Sequence, residues 1–246
     1  MKNYKITIAY DGTRYNGWQI QKSSDMTIQG KISAILSKLS GSLVEVAGSG
    51  RTDSGVHAAA QAASFHFPDG YSPNYILAYL NQYLPDDIAA TSIEEVDERF
   101  HARYSCKSKT YRYRIHTSPI PNVFERKYVY TYLDKPLDSA KMKQAATLLA
   151  GTHDFKAFCG NPKFKKSSVR TIHSIDIDCG SHGITIDYTG DGFLQNMVRI
   201  LTGTLIEVGN GNIKAESIPQ IIKSLDRQNA GFTAPAQGLT LLRVEY

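Results

Sequence analysis

The chain has 246 residues, of which 41% are hydrophobic, enough for one large domain or two smaller ones with real cores. It carries 28 basic against 23 acidic residues, a formal net charge of +5, which permits a polyanionic partner without requiring one. Cys106, Cys159 and Cys179 are too few and too far apart for a disulfide framework or a zinc site, no apolar run has transmembrane length, and no signal-peptide run follows Met1, so the expectation is a soluble cytoplasmic protein with no membrane association.

Tyr4, Ile6, Ile8 and Tyr10 alternate with Lys5, Thr7 and Ala9 and predict a first strand, ended by Asp11-Gly12. Thr13–Ser24 reads as an ordered loop around Tyr15, Gly17 and Trp18. Thr27 is placed to cap a helix over Ile28–Leu39, whose Ile28, Ile32, Ile35, Leu36 and Leu39 share one face, with Gly41 closing it. Leu43–Ala47 and Ala60–Phe67 read as strands on either side of a glycine-rich loop. Pro73 opens a second helix, and Ile88–Val96 is a weaker strand. This β-α-β-β-α-β order is that of ferredoxin-like domains, which RNA-recognition modules also use.

An irregular basic stretch follows, and then Tyr111, Tyr113 and Ile115 alternate with Arg112, Arg114 and His116 in a clear strand. Lys127–Tyr132 looks like another strand. Asp138 is placed to cap a helix to Ala150, closed by Gly151. Arg170–Asp178 and Gly183–Tyr188 read as a strand pair turned at Gly180–Gly183, Phe193–Val208 and Glu216–Leu225 as helices, and Thr240–Tyr246 as a last strand. The second half echoes the first in structure and not in sequence. The expectation is an α+β chain with halves at 1–103 and 104–246 and mainly antiparallel sheets, the boundary falling near residues 97–108.

Four features are candidates to carry chemistry. The loop Gly48-Ser49-Gly50-Arg51-Thr52-Asp53-Ser54-Gly55-Val56-His57-Ala58 matches neither a P-loop nor a dinucleotide fingerprint. Asp53 fits a turn residue bonded to backbone amides, as aspartates in turns usually are, and also a nucleophile or base kept ionised by Arg51. The stretch Arg99–Arg114 holds Arg99, Arg103, Lys107, Lys109, Arg112 and Arg114 and no acid, interleaved with Phe100, Tyr104, Tyr111 and Tyr113. Such a pattern serves phosphate contact with base stacking, and it also serves a solvated basic strand with its tyrosines in the core. Lys163, Lys165 and Lys166 with Arg170 form a second basic patch, a charge run that also reads as a solvated loop. Arg199, between apolar residues on a helix, either snorkels outward or meets a carboxylate. The histidines His57, His66, His101, His116, His153, His173 and His182 show no metal-binding spacing, so no metal is expected.

Gly50-Arg51-Thr52-Asp53-Ser54-Gly55-Val56-His57-Ala58 closely resembles the signature of the TruA family of tRNA pseudouridine synthases. Tyr10-Asp11-Gly12 with Gly17-Trp18-Gln19-x-Gln21 resembles the family's opening segment. Phe100-His101-Ala102-Arg103 with Lys109-Thr110-Tyr111-Arg112-Tyr113 resembles its second motif. Gly151-Thr152-His153-Asp154-Phe155, Arg170-Thr171-Ile172, Gly192-Phe193-Leu194-x-Asn196-Met197-Val198-Arg199 and Thr233-Ala234-Pro235-Ala236-x-Gly238-Leu239 continue it to the C-terminus. The resemblance implies a pseudouridine synthase fold of two RRM-like halves with a cleft between them. It implies isomerisation of uridine to pseudouridine at positions 38, 39 and 40 of the tRNA anticodon stem-loop, no cofactor, and a homodimer. It makes Asp53 the catalytic aspartate, Tyr111 the ring that stacks on the target base, Arg199 the partner of Asp53, and Arg51 a residue that helps open the stack and hold the flipped nucleotide. Arg103, Lys107, Lys109, Arg112, Lys163, Lys165 and Lys166 remain candidates for RNA contact from their charge. A non-catalytic RNA-binding protein would need the basic–aromatic stretch and not Asp53. A metal-dependent nucleotide hydrolase would need a ligand set that the sequence does not cluster.

Overall fold

The computed structural model describes residues 1–181 and 183–246. Its chain forms two compact units, one of Met1–Lys107 with Leu241–Tyr246 and one of Ser108–Thr240. The sequence reading puts all of 104–246 in the second half, whereas Leu241–Tyr246 pack in the first.

Unit 1 holds β1 (Lys2–Tyr10), α1 (Ile28–Ser40), β2 (Ala47–Gly48), β3 (His57–Phe67), α2 (Pro73–Tyr83) and β4 (Ile88–Val96). β1 pairs antiparallel with both β3 and β4, with Ile6 opposite Ala63 on one side and Ile93 on the other. β2 pairs with β3 at Ala47–Ser64, which gives the ferredoxin-like order for the six-element unit. The alternation in β1 becomes burial, since Tyr4, Ile6 and Ile8 are sealed together with Ile28, Ile32 and Leu36 of α1 and Ile76 and Leu80 of α2. Each such side chain contributes about 1.5–3 kcal/mol. Both helices start at the signals read from sequence. Thr27 Oγ1 accepts from the Gly30 N–H, and Ser72 Oγ accepts from the Tyr75 N–H ahead of Pro73.

Leu43–Ala47 differs from expectation, since only Ala47 and Gly48 pair as a strand. Val44 and Val46 are buried while Leu43 and Glu45 are exposed, so the alternation is real. The backbone there bonds α1 side chains instead of another strand: the Val44 N–H donates to Ser37 Oγ, Ser33 Oγ donates to the Val44 carbonyl, and Gln29 Nε2 to the Val46 carbonyl.

Unit 2 holds β5 (Ser108–His116), β6 (Tyr130–Thr131), α3 (Ser139–Leu149), β7 (Gly151–Asp154), β8 (Val169–Gly180), β9 (Gly183–Gly190), α4 (Met197–Gly209) and α5 (Ile218–Ser224). β5 runs antiparallel to β9 from Lys109–Gly190 to His116–Gly183, β9 to β8 and β8 to β7. His182, in the expected turn of the β8–β9 pair, lies outside the described residues. The strand expected over Lys127–Tyr132 is reduced to β6, parallel to the end of β5. β7 has no counterpart in the sequence reading: Ala150 caps α3, and Gly151 starts the strand. α4 is the core helix, with Ile200, Leu201, Leu205, Ile206 and Val208 fully buried. It starts at Met197 and not at Phe193, because Asn196 sits at φ 59°, a left-handed conformation that a helix interior does not contain.

The final strand, β10 (Leu239–Glu245), carries the chain back to unit 1, where Leu241–Tyr246 lie beside β3. Tyr246 closes over the segment before β5. Its hydroxyl donates to the Ala102 carbonyl at 2.9 Å, its ring stands 4.8 Å from Phe100, and Lys5 Nζ lies 5.1 Å from the ring centre. Burial pushes its hydroxyl pKa up, so it stays a neutral donor.

Candidate active site

The aspartate loop lies between β2 and β3 and is built onto the segment that follows β1. Fully buried Tyr10 shares a 2.8 Å hydrogen bond with Thr52 Oγ1, and burial holds its phenol protonated. The Trp18 N–H donates to the Thr52 carbonyl at 3.1 Å, and Ser54 Oγ donates to the Tyr15 carbonyl at 3.0 Å. From β3, sealed Gln61 accepts from Ser49 Oγ at 2.7 Å and donates to the Gly50 carbonyl at 3.1 Å. Gly17 sits at φ +84°, and a Cβ there would stand 2.5 Å from the Thr52 carbonyl oxygen. The residues on either side of Asp53 are thus tied to three separate pieces of unit 1. Asp53 itself is half-buried, its carbonyl accepting from the Val56 N–H at 3.1 Å. Arg51 is exposed, and its Nε donates to Gln19 Oε1 at 3.0 Å.

The opening motif therefore acquires a physical role: Tyr10, Gly17, Trp18 and Gln19 are the bed of the aspartate loop. Sequence reasoning quoted them as a resemblance without assigning that task, and it missed Gln61 entirely. A polar residue sealed inside a strand is the signal that could have found it.

In unit 2, Tyr111 lies on β5, 7% exposed, with its ring edge-on to Phe193 at 5.3 Å. Tyr113, two residues on, is sealed and donates from its hydroxyl to the Pro235 carbonyl at 2.8 Å. Arg199 is half-buried at the first turn of α4. It does not snorkel freely, because Nε donates to the Ala234 carbonyl at 2.7 Å and Nη1 to Asn196 Oδ1 at 3.0 Å. The Ala234 N–H donates back to the Arg199 carbonyl. Asn196 and Ala234 thus hold the arginine from two sides.

The basic candidates separate into groups. Arg103, Lys107, Lys163, Lys165 and Lys166 are exposed. Lys109 is 9% exposed. Arg112 is engaged by Asp187 in a two-point ion pair, both contacts at 2.8 Å, which neutralises much of its charge. Among the described residues no group of histidine, cysteine, aspartate or glutamate is placed to hold a metal ion, and no helix is long and apolar enough to cross a membrane.

A family model described as tRNA pseudouridine synthase matches residues 6–105 and 145–246. The chain is 46% identical, over the full length of both chains, to tRNA pseudouridine synthase A 2 of Bacillus anthracis. It is equally similar to tRNA pseudouridine synthase A of Bacillus sp. (strain KSM-64) and of Acetivibrio thermocellus, again over 100% of each chain. The family model takes in the supported aspartate loop and Arg199, the full-length relatives align through Tyr111 as well, and on these grounds the chain belongs to the tRNA pseudouridine synthase family, in its TruA branch.

Proposed function

We propose that this chain isomerises uridine to pseudouridine at positions 38, 39 and 40 of the tRNA anticodon stem-loop, as a cytoplasmic homodimer that uses no cofactor. Family membership supplies the coarser part of this reading, an isomerase acting on uridine in tRNA. Substrate and product are isomers. The N1–C1′ bond breaks, C5 bonds to C1′, the C5 proton leaves, and N1 is protonated. No oxidant, reductant or energy source enters that balance.

Asp53 is the residue we place at the reacting sugar or base. Its carboxylate adds to C1′, removes the C2′ proton, or adds to C6, and each route needs an ionised carboxylate held still. The observation that carries the reading is the loop itself, in which Asp53 is half-buried while Thr52 and Ser54 beside it are bonded to Tyr10, Trp18 and Tyr15, and Ser49 and Gly50 to Gln61. A uridine inside a stem must leave the stack before its glycosidic bond is reachable. Tyr111 serves as the ring that receives it, Arg51 as the group that holds it out, and Arg199 as the cation that keeps Asp53 ionised. Arg103, Lys107, Lys163, Lys165 and Lys166 supply phosphate contacts, with Arg112 contributing less because of Asp187 and Lys109 less because it is buried.

The test is incubation with unmodified tRNA and site-specific pseudouridine mapping across the anticodon arm. Wild-type protein is expected to modify positions 38–40. Asp53→Asn is expected to lose on the order of a thousandfold or more in rate with tRNA binding nearly unchanged. Full turnover by Asp53→Ala would remove Asp53 from the chemistry.

A further inference from the structure

Gln29 lies in the first turn of α1, outside every motif quoted above. Its amide makes three hydrogen bonds. Nε2 donates to the Val46 carbonyl at 2.7 Å, and Oε1 accepts from the Ile20 N–H at 2.8 Å and from Gln19 Nε2 at 2.7 Å. Chemistry fixes the orientation. Turned over, the amide would set its carbonyl against the Val46 carbonyl and its NH2 against the Ile20 N–H. Because Gln29 takes the NH2 of Gln19, the Oε1 of Gln19 is left to face Arg51, whose Nε donates to it at 3.0 Å. A chain of aligned amides therefore runs from Val46 through Gln29 and Gln19 to Arg51, entirely within unit 1.

The arrangement uses one N–H of the guanidinium and leaves the rest. Arg51 is exposed, and its terminal nitrogens have no partner among the described residues. They form the planar fork that pairs with two oxygens at once. A long side chain in solvent samples many rotamers, and anchoring Nε removes most of them before a ligand arrives. We propose that Gln29 is a positioning residue that acts through Gln19 to aim the Arg51 fork at the oxygens of the flipped nucleotide. This rests on the role given to Arg51 above.

Two measurements test it. The first is a cycle of Gln29→Met and Arg51→Met, with single-turnover rates on tRNA and a thermal melt of each variant. Gln29→Met is expected to cost about tenfold in the wild-type background, the worth of a lost hydrogen bond to a charged group, and less than about twofold when Arg51 is already Met. An equal loss in both backgrounds would make Gln29 merely structural and overturn the proposal. Gln19→Met, which leaves the Gln29 bonds to Val46 and Ile20 in place, repeats the cycle with the α1 anchor intact. The second measurement does not depend on activity. The Arg51 Nε–H resonance, assigned by its loss in Arg51→Lys, is expected to exchange slowly with water in the wild type and quickly in Gln29→Met. Unchanged exchange would sink the relay even if the protein modified no tRNA, whereas inactivity of the wild type on tRNA bears only on the function proposed above.

Discussion

Tyr111 and Tyr113 stand two residues apart on one strand, and nothing in their alternation distinguishes them. The structure does. The Tyr113 hydroxyl is spent on the Pro235 carbonyl and its ring is sealed, while Tyr111 meets Phe193 edge-on. Base stacking on an aromatic ring contributes ~1–3 kcal/mol, so Tyr111→Leu is expected to slow pseudouridine formation between about fivefold and a hundredfold. Tyr111→Phe, which keeps the ring, is expected to stay within a few-fold of wild type in the same assay. Equal losses in the two variants would transfer the role from the ring to the hydroxyl. Arg199 shows where residue-level reading ran out. Its anchor is a backbone carbonyl 35 residues away, and no local pattern encodes such a bond. Asp53 and Arg51 could be found because three glycines marked their loop, but the amides behind Arg51 carry no composition signal at all.

At the level of elements, helix starts were legible because capping chemistry is local, as at Thr27, Ser72-Pro73 and Asp138. Strand pairing was less so. The residues 43–46 alternate as a strand does, yet their carbonyls and N–H groups are claimed by Ser33, Ser37 and Gln29 of α1. Period-two burial reports which side chains point inward, and only a partner strand makes a ladder. The start of α4 was misplaced for a related reason, since the left-handed turn at Asn196 is invisible to hydrophobic periodicity. The loop that carries Asp53 depends on the segment beneath it, and this gives a stability prediction. Gly17→Ala combines a positive φ with a methyl 2.5 Å from the Thr52 oxygen, whereas Gly41→Ala has a positive φ and open space. Gly41→Ala is expected to cost ~1 kcal/mol and Gly17→Ala ~2–4 kcal/mol, with Tm falling by about 2–4 °C per kcal/mol. Gly17→Ala should also lose activity, because the Thr52 carbonyl must shift with Asp53 next to it. Equal melting temperatures for the two variants would count against the loop being seated on Gly17.

For the whole molecule, a net charge of +5 is modest, and exposed basic side chains lie on strands, on helices and in loops. Lys163, Lys165 and Lys166 are all solvent-facing in one such loop. Phosphate contacts release counterions, so raising salt from about 50 to 200 mM is expected to weaken tRNA binding more than tenfold. Replacing these three lysines by Met should lower the slope of log affinity against log salt by roughly 2–3. An unchanged slope would mean that this loop does not touch the RNA. The course of the chain was the least legible feature at this scale: alternation predicted the final strand, but its place in unit 1 rests on Tyr246 and Glu245 meeting Ala102 and Lys107. That placement has a consequence in time. During synthesis the β3 edge waits while residues 108–240 are made, on the order of ten seconds at ordinary elongation rates. For that interval the part of this edge that β2 does not pair stays open, the kind of edge that nascent chains pair with wrongly. Whatever shields that edge before Leu241 arrives, a chaperone or the slowness of neighbouring chains to meet it, governs how much of the newly made protein becomes enzyme.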